Sequence, residues 1–473
     1  MIPARAKPLA AALALVLAGC TLEPAYHRPV APVPETSPGG PAYPAVAAAE
    51  PAPLPGWRDL FTDPKLKAVI DQALANNRDL RVAVANIQEA RAQYQVQRSA
   101  LLPQVNAQGA ESYTRTPAGV AGTPGLKGSI DSRIYSAQVG FSAFELDLFG
   151  RIRSLTRAQQ EQYFASEEAR RTAQISLIAE VAGDYLTYGS DSAQLKIARD
   201  TQASGQASLD LTQKRLDGGV GTELDVAQAR TVVEQARVDV ARLTTQVAQD
   251  KNALDLVVGA AVDESVLPGD VGDPVLRADA LPAAIRSEVL LTRPDVVQAE
   301  DQLKAANANI GAARAAFFPS LTLTAEGGVA STALSTLFRA GTGAWTFAPT
   351  IAQPIFDFGK NRANLHLAKA QRDAAVATYE KSIQTAFREV ADALAQRGTI
   401  DQQLAGEQAL VDASADALRL ATARYERGSD TYLNELIAQR SLYIAQQALV
   451  STRLAAQTNL VTLYKVLGGG AAS

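Results

Sequence analysis

From Gly150 to Leu216 the chain contains no proline and reads as one unbroken helix. At 1.5 Å per residue such a helix spans roughly 100 Å, about three times the thickness of a bilayer's hydrocarbon core. A rod of that length has no place in a compact soluble domain and needs something equally long beside it. It turns at Asp217-Gly218-Gly219-Val220-Gly221, and Thr222 is placed to cap a return helix that runs to Val258. Along the return helix Ala229, Val233, Ala236, Val240, Leu243, Val247, Leu254 and Val257 fall at steps of four and three, interrupted by Asp250. That is the heptad seam of a coiled-coil hairpin. The return helix covers only half of its partner. A second proline-free segment, Lys65 to Leu102 with a break at Asn76-Asn77, supplies the missing length, so two half-length helices stacked end to end beside the rod are expected.

The N-terminus reads as an export signal. Residues 1–19 carry Arg5 and Lys7 before an Ala/Leu core, and Leu17-Ala18-Gly19-Cys20 has the form of a bacterial lipobox. Cleavage before Cys20 and lipidation there are expected, and with Thr21 rather than Asp at the next position the resemblance to sorted lipoproteins favours the outer membrane. Cys20 is the sole cysteine, which excludes internal disulfides and multi-cysteine metal sites. Residues 20–56 are dense in Pro and Ala and are expected to form an extended tether, with Trp57 opening the folded part. The net charge of −4 is small and no basic patch points to nucleic acid.

Between Pro103 and Asp147 the periodicity changes to two. Val105, Ala107 and Tyr113 alternate with Gln104, Asn106, Gln108, Ser112 and Thr114, and Tyr135, Ala137, Val139 and Phe141 alternate with Ser136, Gln138 and Ser142. Two strands of this kind, joined by a Gly/Pro-rich loop, fit a transmembrane barrel; a soluble sandwich edge is the competing reading.

The second half repeats the first. Gly150 and Gly359, Arg215 and Arg424, and Gly259 and Gly468 are each 209 residues apart, while Pro103 and Pro319 are 216 apart. Repeat 1 therefore covers 57–270, with strand pair 103–147 and long hairpin 150–258. Repeat 2 covers 271–473, with strand pair 319–356 and long hairpin 359–467. Each chain offers four barrel strands, and four cannot close. A sheet in lipid has to close, because an open edge leaves backbone groups without partners. Self-association follows; two copies give eight strands and three give twelve.

The carrying stretches are Trp57-Arg58 with Asp63-Pro64, NNRDLRVA from Asn76, FELDLFGR from Phe144, TRPD from Thr292, IGAARAAFFPS from Ile310, EKSIQTAFREVADALA from Glu380 and AQRSLYIAQQ from Ala438. On these the mature chain resembles the TolC-like outer-membrane efflux channels, specifically the OprM-type lipoprotein branch that serves resistance-nodulation-division multidrug pumps. The resemblance implies a mixed α/β membrane channel. Its homotrimer joins a twelve-stranded β-barrel in the outer membrane to a long periplasmic α-helical barrel. It also implies a passive exit duct that partners a periplasmic membrane-fusion adaptor and an inner-membrane pump. A duct for type I protein or peptide secretion shares this architecture and is the alternative.

By position, the resemblance makes Gly218, Gly219, Val220, Arg427, Gly428 and Ser429 adaptor-docking tips. It places Tyr425 and Asp225 where relatives link two hairpins near a periplasmic gate. Asp430 stands where some relatives have arginine, and Asn434 and Ile437 occupy the two places of a carboxylate ring. A constriction by Leu433, Leu436 and Ile437, flanked by Arg440 and Glu435, is the expected substitute. No enzyme site is legible. His27 and His366 fall far apart, and no nucleophile elbow, P-loop or dinucleotide fingerprint is present. Neither a metal nor a cofactor is expected beyond the covalent lipid on Cys20.

Overall fold

The computed structural model describes residues 21–44, 55–117, 128–272, 274–282 and 284–470. The signal segment 1–19 and Cys20 lie outside the described residues. The helices are α1 (Trp57–Leu60), α2 (Pro64–Asn76), α3 (Arg78–Ser99), α4 (Arg151–Asp217), α5 (Glu223–Val258), α6 (Pro294–Ala315), α7 (Lys360–Glu426) and α8 (Tyr432–Val466). The strands are β1 (Asn106–Pro117), β2 (Ser129–Leu146), β3 (Ser320–Ser331) and β4 (Gly343–Ala352). Among the described residues no helix is long and apolar enough to cross a membrane. The chain divides into two compact units. One comprises Met1–Pro29, Ile87–Ser166 and Ala299–Tyr379, the other Val30–Asn86, Glu167–Gln298 and Glu380–Ser473.

The first unit holds one antiparallel sheet in the order β1-β2-β3-β4. Its register sorts the side chains. Ala107 pairs with Val139, Val139 with Gly327, and Gly327 with Trp345, while Gln108 pairs with Gln138. One face therefore collects Tyr113, Val139, Phe141, Leu323, Trp345, Phe347 and Ile351. The other collects Gln108, Ser112, Ser136, Thr322, Glu326 and Thr346. A strict alternation would put Phe144 and Leu146 on the polar face. Instead β2 inserts one residue between Phe141 and Phe144, with Ala143 at φ 54° and its N–H donated to Thr324 Oγ1 at 3.1 Å. The bulge returns Phe144 and Leu146 to the apolar face, opposite Leu323 and Leu321. An apolar outer face, a polar inner face and two unpaired edges are what one segment of a lipid-embedded barrel requires.

The N-terminal residues of this unit are not free. Arg28 grips the buried carboxylate of Glu300 with two bonds of 2.9 and 2.7 Å, Tyr26 donates to the same group at 3.0 Å, and Asn307 donates to the Pro24 carbonyl at 2.8 Å. Residues 21–44 are extended, as expected of a tether, and are also packed against the folded part. A proline-rich backbone makes few internal hydrogen bonds, such as Tyr43 N–H to the Gly40 carbonyl at 3.0 Å, and so leaves carbonyls such as that of Pro24 for neighbouring side chains.

In the second unit, Ser37 N–H donates to the Ile285 carbonyl at 3.1 Å, and Ser287 N–H donates to the Glu35 carbonyl at 2.8 Å. Further along, Ala42 and Tyr43 lie directly on Gly398 of α7: a Cβ there would collide with the Ala42 carbonyl oxygen and stand 2.9 Å from the Tyr43 carbonyl carbon. Gly398→Val is therefore expected to lift this segment while leaving the helices folded. A clash of this kind costs on the order of 1–3 kcal/mol, so cleavage between residues 30 and 56 should accelerate about tenfold or more in limited proteolysis.

The long helices appear where the proline-free runs place them. Thr222 caps α5 through a reciprocal box, accepting from Asp225 N–H at 3.1 Å while its own N–H donates to Asp225 Oδ2 at 3.2 Å. The expected seam is buried at Ala229, Val233, Ala236, Leu243 and Leu254; Val240 and Val247 are partly buried against Leu195, Ala198 and Leu243, and Val258 replaces Val257 as the last buried residue. The break between α2 and α3 is Asn77, whose side chain accepts from Leu80 N–H at 2.8 Å and donates to the Val257 carbonyl at 2.7 Å. A second lock is Arg293, buried, which pairs with Asp295 at 2.7 Å and Glu389 at 2.9 Å and donates to the Val466 carbonyl at 2.8 Å.

Candidate functional site

The functional question concentrates at the ends of the two 67-residue helices, where α4 turns into α5 and α7 turns into α8. Both ends close in the same way. Val220 N–H bonds the Arg215 carbonyl and Gly219 N–H bonds the Leu216 carbonyl, each at 2.9 Å. In the second hairpin Ser429 N–H bonds the Arg424 carbonyl at 3.0 Å and Gly428 N–H bonds the Tyr425 carbonyl at 2.9 Å. These are Schellman closures, with Gly219 at φ 76° and Gly428 at φ 72° in the left-handed position that disfavours side chains. Gly218, Gly219, Val220, Arg427, Gly428 and Ser429 are all exposed.

Beneath the turns the two hairpins pack on a small apolar cluster of Ala229, Val232, Tyr425, Tyr432 and Leu436. The rings of Tyr425 and Tyr432 meet edge to face at 5.4 Å. Tyr425 and Asp225 are not joined in the chain. Asp225 is occupied in the capping box, and the buried Tyr425 hydroxyl has no protein hydrogen-bond partner. Tyr425 is instead tied to the other hairpin by Arg215, which lies over its ring at 4.5 Å and donates to its carbonyl at 2.9 Å.

The sequence carries an unread signal for this bridge. Arg215 and Arg424 are repeat-related, and Arg424 is held within its own turn by Asp430 at 3.2 Å. The residue equivalent to Asp430 in the first turn is Gly221, so no carboxylate holds Arg215 at home and it reaches across. Asp430 also accepts from Thr431 N–H at 2.8 Å and from Asn434 Nδ2 at 2.7 Å, and these bonds hold its carboxyl below the usual range.

The expected constriction needs one correction. Leu433 and Ile437 are about half exposed, at 48 % and 54 %, and share a face of α8 with Asn434. Leu436 lies on the flank of that face, about 60° from Leu433 and about 100° from Ile437, where it turns into the tyrosine cluster and is 5 % exposed, with Glu435 buried beside it. Arg440 is exposed and donates to Thr231 Oγ1 of α5 at 3.2 Å.

The family profile described as Outer membrane efflux protein matches residues 69–260 and 285–469. The chain is 48 % identical over 465 residues to the probable efflux pump outer membrane protein TtgC of Pseudomonas putida, covering 97 % of this chain and 94 % of that one. It is 43 % identical to the outer membrane protein OprJ of Pseudomonas aeruginosa, over 97 % of this chain and 94 % of OprJ. The open-state crystal structure of the Neisseria gonorrhoeae MtrE outer membrane channel superposes with a TM-score of 0.85 at 39 % identity, covering 95 % of this chain and 98 % of that one. The chain belongs to the outer membrane efflux protein family, the TolC-like channels.

Proposed function

We propose that three copies of this chain form the passive exit channel of a tripartite efflux system in a bacterial outer membrane. The carrying observation is the four-stranded sheet with one apolar face, one polar face and free edges on β1 and β4. Twelve strands from three copies give every backbone group a partner and enclose a water-filled axis lined by the polar face. Cys20 carries the lipid anchor. The exposed turns at Gly218-Gly219-Val220 and Arg427-Gly428-Ser429 receive a periplasmic membrane-fusion adaptor, and an inner-membrane resistance-nodulation-division pump supplies the energy. Contact with these partners opens the duct at the packed tips.

The internal repeat specifies the seam between copies. Within one chain, the end of β2 pairs with the start of β3 at Leu146 and Leu321, and Phe149 stacks on Phe318 at 4.7 Å. The repeat-related residues are Ile355 for Leu146, Val105 for Leu321, Phe358 for Phe149 and Leu102 for Phe318. All four are exposed in one chain, Phe358 at 97 %. Moreover β4 stops at Ala352, short of the position equivalent to the end of β2, as a strand does when its outer partner is missing. Ile355 of one copy then lies opposite Val105 of the next, and Phe358 lies on Leu102 of the next copy.

Deleting the gene tests the function. An efflux role predicts a fall in the inhibitory concentrations of several unrelated antibiotics, restored by the wild-type gene. Unchanged susceptibility with loss of one exported polypeptide would instead identify a secretion duct.

A further inference from the structure

We propose that the Glu435 carboxyl is a proton-set latch between the two hairpins: neutral, it lets the tips stay packed; ionised, it drives them apart. This rests on the reading of the tips as the gate. Glu435, on α8, is 5 % exposed and bonds to two other helices. Its Oε1 accepts from Thr422 Oγ1 of α7 at 3.2 Å and from Ser208 Oγ of α4 at 3.5 Å, while Oε2, also buried, has no partner among the described residues.

Three arginines near the tip are engaged elsewhere, and Lys214 and Arg427 are exposed at the turns. Arg215 of α4 holds Tyr425, Arg424 of α7 holds Asp430, and Arg440 of α8 reaches Thr231. The other groups facing this region are Tyr425 and Glu426 of α7, Tyr432 of α8 and Asp225 of α5, none of which can neutralise a carboxylate. Buried and unpaired, the ionised form is costly. Burial raises the Glu435 carboxyl above the usual carboxylate range and the neighbouring Glu426 adds to this, with the Thr422 and Ser208 hydroxyls opposing. Three further polar atoms in the same packing, the Tyr425 and Tyr432 hydroxyls and Gln439 Oε1, likewise have no protein partner. Separation of the hairpins would hydrate all of them, so the closed packing is loaded toward opening.

The sign follows from linkage. The packed state, with the raised value, binds the proton more tightly than an opened state in which Glu435 is solvated. Falling pH therefore favours closure. Rising pH, through the raised value, favours opening. The latch would shut the duct to an acidic exterior, because the lumen shares its water with the outside.

The test is open probability in planar lipid bilayers, measured with the purified lipidated trimer from about pH 5 to about pH 8. Wild type should open more often as pH rises. Glu435→Gln keeps the shape and hydrogen-bonding capacity of the neutral acid and cannot ionise, so it should give a flat, low open probability, about tenfold below wild type at the alkaline end. Thr422→Val, which removes a donor that favours the ionised form, should move the wild-type midpoint to higher pH; a purely structural contact would leave that midpoint in place. A Gln variant that keeps the wild-type pH response, or an unmoved midpoint in Thr422→Val, overturns the latch while the channel stands. Absence of conductance from every protein at every pH overturns the channel reading and the latch with it.

Discussion

Arg293→Ala is expected to lower the unfolding midpoint of the purified protein more than any other single substitution considered. The guanidinium is buried and holds three groups at once: Asp295, Glu389 of α7, and the carbonyl of Val466 at the end of α8. Removing it leaves two carboxylates facing each other and uncaps a helix C-terminus that favours a positive charge. Breaking a buried pair costs about 3–5 kcal/mol, and because both carboxylates are about one-third exposed the lower end, about 3 kcal/mol, applies. Arg293→Lys keeps the charge but not the planar fork that serves three acceptors, so it should recover less than half of the loss. The check is denaturant or thermal unfolding in detergent. An unchanged midpoint for Arg293→Ala would show that the helix ends are held by packing alone.

The second large effect is covalent. Cysteines at Val105 and Ile355, oxidised in membranes, are expected to join copies into a ladder that ends at three times the monomer mass. Directly opposed residues of an antiparallel pair stand about 4.5–5.5 Å apart at Cα, within disulfide reach. Either cysteine alone should leave the chain monomeric on a denaturing gel, which also controls for Cys20, the sole native thiol. A ladder ending at two would mean eight strands; no ladder would mean that the repeat does not set the seam.

Much of this fold was legible because its strongest signals are local. The absence of proline over two long runs, the glycines at 219 and 428 and the Thr222 cap place the long helices to within one or two residues. The strands were legible from period two. What escaped was set by pairing across distance. The bulge at Ala143 exists to keep Phe144 and Leu146 on the apolar face, a need visible only once β3 lies alongside. The docking of residues 21–44 depends on Glu300 and Gly398, hundreds of residues away. At the tips, the spacing of Leu433, Leu436 and Ile437 puts all three near one face of α8, and only the neighbouring hairpin, through Tyr425 and Val232, buries Leu436. The Arg215 bridge arises from a difference between the repeats, Gly221 against Asp430, within an otherwise similar turn.

The most direct test of a ring built from incomplete sheets is electron imaging of the detergent-purified protein. Threefold particles pierced by an axial channel are the predicted result. Stable single copies, or particles with no hole along the axis, would contradict it.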